Sequence, residues 1–162
     1  FLCHIMEENN NKNELTFLIS DLKDKPKLIG TDKGLAKIGD GIINLTYSVA
    51  KSKYLTHFKS IPESPIREGK KVDKHILSNA LKKADMRQYA KTRPDSHDLA
   101  NTYEGLIAYV WLSGEITIKQ IISILASQLE DDISNYKIER IEAIKSFTHL
   151  LKNVKKFIPR IE

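Results

Sequence analysis

A single cysteine, Cys3, stands in the whole chain of 162 residues, so no intrachain disulfide framework can form. That usage fits a reducing compartment, and a cytoplasmic location is expected. Seven glycines and five prolines leave little room for a loop-rich or disordered protein. No apolar run approaches the ~20 residues of a membrane span, and the first six residues are too short for a signal h-region. No contact with a membrane is therefore expected. His4, His57, His75, His97 and His149 are scattered and have no paired cysteine, which argues against structural zinc. The remainder, 41% hydrophobic and 29% charged, is an ordinary globular composition, long enough for one domain with a real core.

The net charge of +5 is unevenly spread. Residues 51 to 93 hold twelve Lys/Arg against four Asp/Glu, a local balance of +8, while the flanks balance to −1 and −2. A basic middle is what a phosphate-facing surface would look like. It is equally what a solvated lysine-rich face looks like, and composition does not choose between the two.

Residues 1 to 12, ending in Asn9-Asn10-Asn11, read as a flexible tail, with Met6 a possible native start. The spacing of Leu15, Leu18, Ile19 and Leu22 predicts a short amphipathic helix over 13–23, followed by a connection through Pro26. Thr31 or Asp32 caps a long helix to about residue 52, with Leu35, Ile38, Ile42, Leu45 and Val49 as its apolar stripe. Pro62, Pro65 and Gly69 mark a loop over 60–69. Val72, Ile76, Ala80 and Leu81 predict a helix to about Ala84, continuing less regularly through Met86 and Tyr89. Asp95 or Ser96 caps the next helix, His97 to Leu112; Thr117 caps Ile118 to Leu129; Lys137 to Phe157 forms the last. No alternating stretch reads as a strand, so the expected fold is all-α, a single domain over residues 13–162.

Two acids interrupt apolar helical stretches. Asp40 follows Leu35-Ala36-Lys37-Ile38-Gly39, and Glu104 lies between Tyr103 and Gly105-Leu106-Ile107-Ala108. A carboxylate in a core-facing segment is costly unless paired, hydrogen-bonded or metal-bound. His97, Asn101, Glu104 and Ala108 share one helix face, with Asp98 near the same edge; Lys33, Lys37, Asp40, Asn44 and Tyr47 share another. Packed side by side, these helices let Asp40 and Glu104 converge on one Mg²⁺ or Mn²⁺, an ion that needs only one or two carboxylates. The competing reading gives each acid a hydrogen bond or an ion pair, with Lys37 for example. Gly39, Gly41 and Gly105 each cost about 1 kcal/mol against alanine inside a helix, so close approach of a backbone or ligand is expected there. Tyr109 and Trp111 read as core or interface residues, and His97 as a helix-start residue.

The ordered pair, Gly39-Asp40 in a long apolar helix and later Tyr103-Glu104-Gly105-Leu106-Ile107-Ala108-Tyr109, resembles the two signature helices of the ribonuclease III family. The similarity covers roughly residues 31 to 130. In layout the chain is similar to short archaeal ribonuclease III-like proteins and to mini-ribonuclease III, which lack a double-stranded-RNA-binding domain; none is expected here. Asp40 and Glu104 match two of the family's four metal ligands. Ala36 stands where the first signature has Glu, and Asn101 where the second has Asp. Mini-ribonuclease III is similar in having alanine and a neutral residue at those positions.

The resemblance implies a Mg²⁺- or Mn²⁺-dependent endoribonuclease acting as a homodimer on double-stranded or structured RNA. Asp40 and Glu104 are then the catalytic pair and metal ligands, with Asn101 and Asp98 as further candidate ligands. Lys33, Lys37, Asn44, Lys70, Lys71 and Lys74 are candidate RNA contacts, since duplex RNA is held mainly through phosphates and 2′-hydroxyls. Ile42, Ile43 and Tyr47 are candidate dimer contacts. The alternative reading is a catalytically silent protein of the same fold that binds structured or ribosomal RNA, supported by the two missing ligands. An unrelated helical ribonuclease using Arg93 and His97 is disfavoured by Pro94 between them.

Overall fold

The computed structural model describes residues 14–59 and 64–162. The tail expected over 1–12, with Cys3 and His4, lies outside the described residues. Among those described there is no strand. Six α-helices follow in order: α1 (Pro26–Ile29), α2 (Lys33–Phe58), α3 (Lys74–Lys83), α4 (Ser96–Leu112), α5 (Ile118–Ser127) and α6 (Tyr136–Val154). Short 3₁₀ turns at Thr16–Ile19, Arg87–Tyr89 and Lys155–Phe157 join or extend them.

Local chemistry sets most of these boundaries. The Asp32 carboxylate accepts the Leu35 N–H and starts α2. Asp95 and Asp98 form a reciprocal capping box on α4, as Thr117 and Gln120 do on α5. α4 is the centre of the molecule. It packs against α2, α3 and α6, and Leu99, Tyr103, Leu106, Ile107, Ala108 and Val110 are all buried. Tyr103 crosses edge-on to Phe147 of α6, 5.8 Å between ring centres, and donates its hydroxyl to the Phe147 carbonyl.

Three expectations are corrected. The amphipathic helix over 13–23 is only the Thr16–Ile19 turn among the described residues, with Ile19 and Leu22 buried and Leu15, Phe17 and Leu18 exposed. A segment that short is not held helical without a packed face. The connection through Pro26 contains the one-turn helix α1, with proline at its first position. The stripe assigned to α2 is also rotated. Leu35 and Ile42 are buried, but Ile38, Leu45 and Val49 are 40%, 54% and 41% exposed. The face turned inward runs through Ala36, Gly39, Ile43, Tyr47, Ala50 and Leu55. Ile42, Ile43 and Tyr47, expected at a dimer surface, belong to that core.

Candidate active site

Gly39 carries the two acids together. A side chain there would overlap the Glu104 backbone carbonyl, so α2 and α4 touch backbone to backbone at the level of both carboxylates. Gly105 repeats the device against α1, where a Cβ would stand 2.7 Å from the Ile29 carbonyl oxygen. Gly41 meets nothing within 4 Å and has no such role.

Asp40 and Glu104 line one open cleft of about 900 Å³, walled by the first turns of α2, α3 and α4. Lys33, Lys37, Lys71, Lys74 and Lys91 surround them, together with Asn101, Asp98 and Ala36. The Glu104 carboxylate makes no hydrogen bond or ion pair with any described residue. Burial, reinforced by the charge of Asp40 and opposed by Lys71, pushes its pKa up to about 7. Asp40 accepts one hydrogen bond, from Asn44 Nδ2 at 3.1 Å, and forms no ion pair with Lys37 among the described residues. Two neighbouring carboxylates so poorly satisfied by protein are a fit for one hard cation that keeps part of its water shell.

The remaining candidate ligands differ. Asn101 lines the cleft and hydrogen-bonds to no described side chain or backbone group through its amide. Asp98 is already engaged. It accepts the Asp95 N–H at 3.0 Å and pairs with Lys91 at 3.2 Å, and the Asp95 amide and Lys91 hold it below the usual carboxylate range. No group of three His, Cys, Asp or Glu side chains assembles as a metal cluster among the described residues.

A device invisible in the sequence orders this wall. Residues 66–72 run along α2 in the opposite direction, hydrogen-bonded at every second residue. The N–H of Val72 donates to Asn44 Oδ1 (2.8 Å), Lys70 to Ser48 Oγ (2.8 Å), Glu68 to Ser52 Oγ (2.9 Å) and Ile66 to Thr56 Oγ1 (2.9 Å). Four helical residues advance about 6 Å, and two extended residues advance about 6.6 Å, so the two repeats stay in step. Asn44, expected as an RNA contact, instead links this strap to Asp40.

Lys70 is the clearest departure from the expected RNA contacts. Its ammonium turns inward to Glu139 Oε1 at 2.9 Å, so it is spent inside the protein, while Lys71 beside it lines the cleft. Glu139 was not singled out by sequence reasoning, because it lies in a charged stretch of α6 without an apolar context. It is 4% exposed and also receives Lys51 (2.8 Å) and the Tyr47 hydroxyl (3.0 Å). Burial would raise its pKa, but the hydrogen bonds and charges of Lys51 and Lys70 outweigh that and hold it low. Lys91, in the cleft wall, was also missed; no helical pattern surrounds it.

No curated protein matches the chain at a significant level. A family model described as ribonuclease III matches residues 33–160, from the first residue of α2 to beyond the end of α6. That family has a helical domain, acts on double-stranded RNA and is generally dependent on a divalent metal. With most of its length, both acids and all five cleft lysines inside the matched span, this chain belongs to the ribonuclease III family.

Proposed function

We propose that the protein is a Mg²⁺- or Mn²⁺-dependent endoribonuclease that cleaves double-stranded or structured RNA as a homodimer. One observation carries this: the half-buried carboxylate of Glu104, which has no protein partner among the described residues, and that of Asp40, close enough to raise its pKa, sit together inside a ring of five lysines. Lys33 and Lys74 occupy the first positions of α2 and α3, where the helix dipole disfavours a cation. That arrangement is worth its cost where the ligand is a polyanion. Lys33, Lys37, Lys71, Lys74 and Lys91 then take phosphates, and Asn44 fixes the direction of Asp40. Asp40 and Glu104, with the Asn101 amide oxygen, would hold the cation. The cation supplies activation of water and stabilisation of the leaving oxygen in phosphodiester hydrolysis.

Dimerisation is supported by Ile38, Leu45 and Val49, which leave an exposed apolar row along α2 on the face away from the core. Two-fold pairing is the commonest way to cover such a row.

The test is incubation with long duplex RNA, with and without Mg²⁺ or Mn²⁺, beside an Asp40→Asn/Glu104→Gln variant. Metal-dependent cleavage lost in the variant, with duplex binding largely retained, is the expected result. Equal cleavage by the variant would overturn the assignment. The replacement of two family ligands by Ala36 and Asn101 favours one second reading, a silent RNA-binding protein. Duplex binding without cleavage under any metal would establish it.

A further inference from the structure

The strap over residues 66–72 has two edges, and only one is used. Extended backbone points the N–H and C=O of successive residues to opposite sides. Ile66, Glu68, Lys70 and Val72 spend their N–H groups on α2, and the Lys70 carbonyl also lies within reach of the Ser48 hydroxyl, while the Ser52 and Thr56 hydroxyls donate chiefly to the Ser48 and Ser52 carbonyls of α2 at 2.8 Å. The N–H groups of Arg67, Gly69 and Lys71 fall on the other edge and hydrogen-bond to no described residue. We propose that this outer edge is a phosphate-binding rail, which takes the sugar-phosphate backbone of one RNA strand as it leaves the carboxylate cleft. The inference rests on the RNA reading above and adds a second binding surface to it.

Four features support the rail. Its donors repeat every two residues and run about 13 Å from Arg67 to Lys71. Backbone N–H groups are regular partners of phosphate oxygens, and a row of them needs no side-chain ordering. The same residues that carry two of these outward N–H groups, Arg67 and Lys71, have exposed cationic side chains, and between them Gly69 has open space where a Cβ would stand. The edge is continuous with the cleft, because Lys71 and Val72 line it. Finally, the strap is fixed before any ligand arrives, by the four rungs on α2 and by the Lys70–Glu139 ion pair. Glu68, the acid of this stretch, is drawn toward Lys51 at 3.3 Å.

A protein strand is the other conceivable occupant of an open edge. Pro65 at its start and charged Arg67 and Lys71 along it are the devices that discourage strand addition. The same cations attract phosphate. RNA is therefore the occupant the edge favours.

Gly69→Pro removes one outward N–H while keeping an extended backbone, and Gly69→Ala is its control with the N–H retained. Binding of a labelled blunt RNA duplex is measured in EDTA by fluorescence anisotropy across a salt series. Gly69→Ala should bind as the parent does, and Gly69→Pro about tenfold more weakly, as expected for a lost hydrogen bond to a charged group. Arg67→Gln should weaken binding and lower the slope of log K against log salt by about one. Gly69→Pro binding as tightly as Gly69→Ala at unchanged melting temperature overturns the rail. Where Gly69→Pro melts lower than the parent, the Arg67→Gln slope decides alone, and an unchanged slope overturns the proposal. Lys37→Gln, inside the cleft, weakens binding whether or not the rail exists. Weakening by that variant alone therefore rejects the rail and keeps the RNA reading. A parent that binds no duplex rejects both. A change in self-association on Gly69→Pro with RNA affinity unaltered assigns the edge to a second copy of this chain instead.

Discussion

Gly39 and Glu104 meet through their backbones: the place where a Gly39 side chain would begin is filled by the Glu104 carbonyl and lies 2.8 Å from its Cα. The acid is thereby brought to the neighbouring helix by a residue that has no chemistry of its own. Gly39→Ala should destabilise the protein by about 1–3 kcal/mol or more, the cost of overfilling a packed contact. Gly41→Ala, two residues on with open space, should instead stabilise it by about 0.5–1 kcal/mol through helix propensity. Urea unfolding of the two variants against the parent separates these opposite signs.

Glu104 binds its proton more tightly when folded, with a pKa of about 7 against an ordinary 4.5. The folded chain therefore holds the extra proton between those values, and metal-free stability falls as pH rises through that window. Glu104→Gln should melt a few degrees higher than the metal-free parent at pH 8 and show little gain at pH 4, which thermal melts at the two pH values would test. A Mn²⁺ ion held by Glu104, as proposed, would have to displace the same proton. Calorimetry in buffers of different ionisation enthalpy should show proton release at pH 6.5 that vanishes above pH 8.

Ala36→Glu with Asn101→Asp places two more carboxylates in the cleft wall beside Asp40 and Glu104. Without metal the double variant should melt below the parent, because like charges crowd a half-buried site. With Mn²⁺ it should recover more stability than the parent does, and cleavage should need less metal. Melting curves across a Mn²⁺ series read the first two effects without relying on activity.

Leu45 is the most exposed of the three apolar residues on the outer face of α2. Leu45→Lys should leave the melting curve of the monomer nearly unchanged and shift sedimentation from dimer to monomer at micromolar concentration. A parent that sediments as a monomer would remove the dimer from the proposed function.

Glu139→Gln should be among the most damaging single changes outside the apolar core. It leaves Lys70 facing inward without its counter-ion and Lys51 with only the half-exposed Glu68, and breaking a buried pair in this way typically costs about 3–5 kcal/mol. Because the folded-state pKa is depressed, the contribution of Glu139 is present above its ordinary 4.5 and lost as pH falls below it. Unfolding free energies of parent and variant should converge in acid.

The helices were legible where local chemistry decides them. Asp95, Thr117 and the run Val72 to Ala84 each carry their own start signal or period, and Asp40 and Glu104 were visible as charges out of place. What escaped depends on partners distant in sequence. Asn44 reads as an RNA contact and Ser48, Ser52 and Thr56 carry no signal, since nothing local says that a strap lies across them. With Ala36, Gly39, Ile43 and Tyr47 turned to the core, the apolar row of Ile38, Leu45 and Val49 faces outward, which reverses the face a single-helix pattern assigns. Lys70 and Lys71 are identical neighbours in composition, yet one is inside and one outside, because extended backbone alternates.

That alternation imposes a parity on the strap. One residue inserted between Ile66 and Val72 would hand the inward place of Lys70 to its neighbour, present the wrong amides to Ser48 and Ser52, and withdraw a cation from the cleft. Two residues inserted or removed would keep the inside and outside of the remaining positions, at the loss or bulging of one rung. Length variation here is thus tolerable in even steps and ruinous in odd ones, a constraint set by counting and indifferent to most of the side chains involved.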